Sequence, residues 1–333
     1  MTRLRSPSAS TPPCVSAIDA AADRIREETG LHTHAERRKL EWAADKQLGG
    51  TVILVLYLTF AMKLRSLLTP PPSPAVAASL LAYCAACLAT IAWRRSGWTT
   101  SYMRWREGLA TLLRLTACGL GAWTVLTGRL LEAVPPTAAA GAAAHLALIV
   151  FACGGPSCIS HALAWRMRFW LSAATQTFLV GTILRHHPTF CSVPALASPA
   201  AQAHTHRLYS LLSTLAYTLP LPVSAFVQPD PEAECQTVLG FLHIAIGLLA
   251  PLVCEALAEA RLFRQQQRRR RALGLPAERG IDASIFGAVG FLADEGSGLF
   301  VAAIVWVLLA VTWDWLALFS IPAEQRAWQG ARG

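Results

Sequence analysis

The chain has 333 residues, of which 54% are hydrophobic and only 15% charged, where soluble domains carry about 25% charged residues. At a mean hydropathy of +0.41 it has too little polar surface to stay dispersed in water, which excludes an ordinary soluble globule. The net charge of +9, from 29 Lys and Arg against 20 Asp and Glu, sits mainly in tails and connections, and reads as membrane orientation rather than as a nucleic-acid surface.

Residues 1–48 form an N-terminal tail with a charged amphipathic helix. Arg3, Arg5 and several hydroxyl residues precede the first acid, Asp19, a composition shared by transit peptides and unstructured tails; the tail is the simpler reading. From Ser16 to Leu48, short apolar stripes such as Ile18, Ala22 and Ile25 alternate with charges, as in a solvated lead-in to a membrane span.

Residues 49–320 are expected to be an all-α, polytopic transmembrane helix bundle. A helix rises ~1.5 Å per residue, so about 20 apolar residues cross a hydrocarbon core ~30 Å thick. The expected segments are Gly50 to Met62, Ala75 to Trp93, Gly108 to Thr127, Ala138 to Cys153, Phe169 to Leu184, Leu208 to Val227, Thr237 to Leu257 and Leu299 to Phe319. The shorter run Ile281 to Ala293 is too short to cross upright and is expected to be re-entrant or interfacial. Gly154, Gly155 and Pro156 are read as a helix stop. Residues 321–333 are a short C-terminal tail.

Hydropathy and charge give different counts. Arg261, Arg264, Arg268, Arg269, Arg270 and Arg271 lie in an arginine-rich loop, 260–280, directly after segment seven. Such a cluster marks a cytosolic, lipid-facing position, and its expected partners are anionic lipid headgroups. Arg37, Arg38, Lys39 and Lys46 before segment one, and Arg94, Arg95, Arg104 and Arg106 between segments two and three, ask for the same side. Eight crossings put the first and last of these clusters on opposite sides; seven reconcile them, if segment four or five fails to cross. Apolarity is given precedence, so eight is the expectation and seven the alternative.

Arg114 is the costliest residue in these segments, at ~2.5–3.5 kcal/mol for a central charge. Asp314 is its expected partner, because eight crossings put both at similar depth. His145 and His243 lie near the middle of segments four and seven, and Pro220, Pro222 and Pro251 are candidate helix breaks whose opened turns line a solute site. A structural ion pair and ordinary proline kinks are the plainer readings of the same residues. His186, His187, Cys191, His204 and His206 in the connection Arg185 to Arg207 match no tight metal-ligand spacing. Cys84 and Cys87, a C-x-x-C in apolar surroundings, read as small packing residues. Asp282 reads as a helix cap. No phosphate-binding loop, dinucleotide fingerprint or hydrolase motif is present, so no catalytic residue, cofactor or metal is assigned. Two functions remain: a small-solute or ion transporter or channel, and a membrane scaffold, anchor or sensor that transports nothing.

Overall fold

The computed structural model describes residues 74–96, 98–116, 127–128, 131–135, 137, 141–152, 155–216, 229–274, 281–294 and 298–319. Segment one, both tails, Pro220 and Pro222 lie outside them. Among the described residues the protein is all-helical. The helices are α1 (Pro74–Arg95), α2 (Thr99–Arg114), α3 (Ala142–Ala147, continued by a π stretch Leu148–Ala152), α4 (Gly155–Ala164), α5 (Phe169–Leu184), α6 (His187–Cys191), α7 (Pro194–Ala197), α8 (Pro199–Ala216), α9 (Pro231–Ala272), α10 (Ile281–Asp294) and α11 (Gly298–Phe319). Among the described residues two stretches, Pro231–Ala272 and Ala302–Phe319, are long and apolar enough to cross a membrane.

Local chemistry sets the ends. Asp230 accepts the Ala233 N–H at 2.7 Å and Pro231 opens α9, with Glu232 and Glu234 in its first turn. Arg269, Arg270 and Arg271 occupy its last turn. Acids at the start and bases at the end both complement the helix dipole. Gly274, at φ 70°, stops α9 in the left-handed conformation glycine adopts without strain. Pro188, Pro194 and Pro199 each lie in a first turn, where a missing N–H costs nothing. The expected loop 185–207 is therefore largely helical. The arginine-rich stretch, expected as a loop, is the end of α9 as far as Ala272. Gly155 and Pro156 do more than stop a helix, because α4 begins on them. Asp282 lies in the first turn of α10, where it accepts the Trp170 indole N–H at 3.0 Å.

At about 1.5 Å per residue the 42 residues of α9 reach about 60 Å, so α9 serves as a ruler for the other helices. Its start, tied to α6 by the Cys191–Cys235 disulfide, is the disulfide end. Its finish is the arginine end. Helix α5 runs antiparallel to it: Ser172 lies near Glu255 through Arg114, Val180 packs on Gly247, and Leu184 on Gly240. Helix α11 also runs antiparallel, with Trp313 against Phe241 and Leu316 on Gly240. Helices α3 and α4 descend from the disulfide end, where His145 meets Thr205, to Ala162 beside Arg114. Helix α10 folds back along the end of α9, its Gly290 under Arg264.

Helix α8 behaves differently from the expected sixth span. His206 pairs with Glu234 at 2.8 Å, and ten residues on Ala216 shares an apolar cleft of about 50 Å³ with Phe241. Both positions advance together, so α8 and α9 run parallel. Both start at the disulfide end. The helix also starts at Pro199, earlier than the expected Leu208.

Polarity is distributed inside out. Arg106, Arg114, Gln176, Glu255 and Glu259 are buried, while Leu88, Phe178, Trp315 and Phe319 are each about 60% exposed. The larger apolar cluster gathers at the disulfide end around Trp313, held between Tyr209 and Phe241. A second, around Leu113, Trp165, Met167 and Ile183, joins α1, α2, α4 and α5.

The disulfide closes a separation of 44 residues, for which removal costs about 2–5 kcal/mol. Alkylation of the unreduced, denatured chain is expected to leave Cys191 and Cys235 unmodified by mass spectrometry, and Cys191→Ser to lower the thermal midpoint in detergent. Labelling of both thiols without reductant would contradict the bridge.

Candidate functional site: a buried arginine beside two widened helices

Arg114 ends α2 with no exposed side-chain surface. Its Nε donates to the Trp165 carbonyl at 2.9 Å, one Nη to Ser172 Oγ, and the other to the Ala162 carbonyl at 2.6 Å and to Glu255 Oε1 at 2.7 Å. The carbonyls of Ala162 and Trp165 belong to the end of α4, where helical carbonyls lack intrahelical partners and the dipole is negative. The guanidinium therefore caps one helix, ties a second through Ser172, and is neutralised by a third through Glu255. Beside it on α4, buried His161 pairs through Nε2 with the Tyr83 hydroxyl of α1.

The carboxylate is not the expected one. Asp314 follows Trp313, which packs on Phe241, whereas Arg114 is bound to Glu255. These levels differ by 14 residues of α9, about 21 Å of rise, so Arg114 and Asp314 belong to opposite halves of the ruler.

Further toward the disulfide end, two helices widen just before a proline. The π stretch Leu148–Ala152 ends four residues before Pro156, and His243–Leu249 of α9 lies immediately before Ala250 and Pro251. Proline lacks an N–H, so Pro251 frees the carbonyl four residues back, that of Gly247. Gln176 of α5 supplies the missing donor: its Nε2 bonds the Gly247 carbonyl and lies 3.5 Å from that of Cys158 on α4. The amide oxygen of Gln176, buried, has no hydrogen-bond partner. Gly247 lets the helices close here, since a Cβ on it would stand 3.4 Å from Cys158 Cβ and from Val180 Cγ2. Pro251 thus does not break α9; it widens the preceding turn, as π stretches at functional positions do.

The two mid-segment histidines have different partners. Buried His145 pairs with Thr205 Oγ1 at 3.0 Å and faces the His204 ring. Buried His243 meets His187 of α6, Nδ1 to Nε2, at 3.2 Å, and is 2.8 Å from the Leu239 carbonyl. A carbonyl only accepts, so the network puts the His243 proton on Nδ1 and makes His187 Nε2 an acceptor. Burial first, then the adjacent His243 and His186, hold His187 well below the usual imidazole range. Cys191 is in the disulfide and supplies no thiolate for a metal. Among the described residues no group of three or more His, Cys, Asp or Glu is placed to hold a metal ion. The apolar cleft is lined by Leu212, Leu215, Trp306 and Trp313 among others, and contains none of the predicted site residues.

Sequence reading missed Gln176, Ser172, His161 and the disulfide. Gln176 carried one usable signal: an amide in a wholly apolar segment needs an acceptor, and a proline in another segment provides one. Comparison of the chain with models of known families, with curated proteins and with solved structures gives no match.

Removing one partner of a buried, bonded ion pair costs about 3–5 kcal/mol. Arg114→Met and Glu255→Gln are each expected to lose most folded protein in detergent, scored by monodispersity on gel filtration. Exchange of the two, Arg114→Glu with Glu255→Arg, should not rescue, because position 114 must also donate to two carbonyls. Full rescue by the exchanged pair would reduce the site to a simple charge pair.

A second expectation concerns pH. A histidine with a depressed folded pKa contributes stability above its unfolded value of about 6.5 and loses it as pH falls below that. The thermal midpoint should therefore drop between pH 7 and pH 5, and His187→Phe should flatten that slope. An unchanged slope in the variant would remove His187 as its source.

Proposed function

We propose that this chain is an integral membrane protein crossing the bilayer seven times, with a small-solute or ion pathway where its widened helices meet. The membrane reading is supported by the inverted surface: apolar side chains as large as Trp315 and Phe319 are exposed while Arg114 and Glu255 are buried. In water this arrangement would be unstable; in hydrocarbon it is the favourable one.

We take the count from helix direction where residues are described and from apolarity elsewhere. On this reading α1, α2, α3 with α4, α5, α9 and α11 are each assigned one crossing, and segment one, which lies outside the described residues, is assigned one from its sequence. Helix α8 enters from the disulfide end and contributes no net crossing. In this reading the sixth expected segment is assigned no crossing, in place of the fourth or fifth that the seven-crossing alternative called for. Seven crossings put Arg37, Arg38, Lys39, Lys46, Arg94, Arg95, Arg104, Arg106 and the α9 arginines on one side, as the charge rule requires. The disulfide, which persists in oxidising compartments, lies at the opposite end.

The pathway reading is carried by one observation: α4, which begins on Pro156 after the π stretch that ends α3, and α9, with its own π stretch before Pro251, touch at Cys158 and Gly247, with Gln176 reaching both carbonyls. In transporters, irregular helices of this kind line sites near the midplane. The scaffold reading keeps its own support in Arg114, whose donors are engaged by the protein's own acceptors.

Residue accessibility and flux test this together. With an impermeant maleimide on intact cells, Ser198→Cys should label from outside and Arg271→Cys only after permeabilisation, and an N-terminal tag should share the side of Arg271. Opposite sides for the tag and Arg271 would restore eight crossings. Proteoliposomes should pass at least one of urea, glycerol or a monovalent salt faster than protein-free vesicles, with Gln176→Leu returning the rate to background. A full panel at background would leave the scaffold.

A further inference from the structure

The arginine end of the molecule is not absorbed by that pathway. Arg261, Arg264, Arg268 and Arg271 are spaced three, four and three residues apart on α9, so they share one face. Arg264 differs from the other three. Its chain crosses α10 where Gly290 leaves room, its Cδ and Nε 3.1 Å from where a Cβ would be, and its Nη1 reaches the Gly290 carbonyl at 3.4 Å. Arg264 therefore fastens the α9–α10 hairpin, while Arg261, Arg268 and Arg271 are exposed.

Large apolar side chains are also exposed on this hairpin. Leu273 is 61% exposed, Ile281 77% and Phe291 59%. Ile281, Ser284, Ala288 and Phe291, spaced three, four and three apart, form the exposed face of α10. Nucleic acid or a soluble phosphate would satisfy the guanidinium groups and leave the aliphatic face in water. A phospholipid offers an anionic phosphate and an acyl chain a few ångströms apart, matching both.

We propose that the α9–α10 hairpin is a binding site for anionic phospholipid, with Arg261, Arg268 and Arg271 on the headgroup phosphate and the Ile281–Phe291 face of α10 against the acyl chains. The site rests on the membrane reading above, but not on the pathway. It also gives α10, too short to cross, a position: along the inner interface, clipped to α9 by Arg264.

The full chain, purified in detergent, tests this by thermal unfolding with added phosphatidylglycerol, phosphatidylcholine or inorganic phosphate. Phosphatidylglycerol should raise the midpoint and the other two should not. The half-effective concentration should rise about tenfold in the triple variant Arg261→Gln, Arg268→Gln, Arg271→Gln, and likewise for the unmodified chain in 1 M NaCl. Arg94→Gln with Arg95→Gln, neutralising a different basic cluster, should stay within about twofold of the unmodified chain.

Four results would overturn the site: an unaltered response in the triple variant, an equal loss in the control variant, a response to phosphate matching that to lipid, or displacement of the lipid by a single-stranded oligonucleotide. If the triple variant does not fold, the salt series on the unmodified chain decides, and salt-independence rejects the proposal. Failure of the membrane reading is seen separately, as a chain that is monodisperse without detergent.

Discussion

Burying a guanidinium is so costly that everything around Arg114 must be arranged to receive it. The side chain comes from the end of α2, and its acceptors come from the end of α4, from Ser172 on α5 and from Glu255 on α9. No pair of these helices is adjacent in sequence through a tight turn, except α4 and α5. One charge therefore fixes the relative height of four helices. A hydrophobic contact could slide by a residue at little cost; a guanidinium with directional acceptors on three other elements cannot. Glu255 makes the burial tolerable by cancelling the charge, and the α4 carbonyls give the remaining N–H groups partners that the α4 backbone itself cannot use.

The same economy appears one level higher. Pro251 removes a donor from the α9 ladder, and Gln176 restores it from α5. A second widened stretch closes α3 at Ala152, shortly before α4 begins on Gly155 and Pro156. At the contact between these regions, Gly247 is small enough to let α9 close on Cys158. A polar axis results: His187 and His243 near the disulfide end, Gln176 at the contact, Arg114 and Glu255 toward the arginines. Around it large apolar side chains such as Leu88, Phe178, Trp315 and Phe319 are exposed.

Much of the fold was legible along the chain. Long apolar runs gave α1, α5 and α11 with ends close to those observed, because a helix needs only local hydrogen bonds and the solvent around it. Charge placement also carried real information. The acids before α9 and the arginines at its end mark its two poles, and they do so twice over, as dipole partners and as topology signals. Two expectations differ from the structure for separate reasons. Arg114 was matched with Asp314 because counting apolar runs put them at one depth; the parallel course of α8 and α9 changes that parity and brings Glu255 to Arg114. The histidine-containing connection, a loop by its sequence, is largely helical, with each of its prolines where a first turn accepts it.

Composition and pattern by themselves determined that this chain is helical, that its helices suit an apolar surrounding, and that one end is basic. Those properties depend on each residue's own hydration and on neighbours three or four positions away. Tertiary structure alone decided which acid neutralises Arg114, which amide repairs the Pro251 gap and which cysteines join. Each of these depends on groups brought together from distant parts of the chain, 141 residues apart for Arg114 and Glu255, and hydropathy contains no term for the height at which two helices meet.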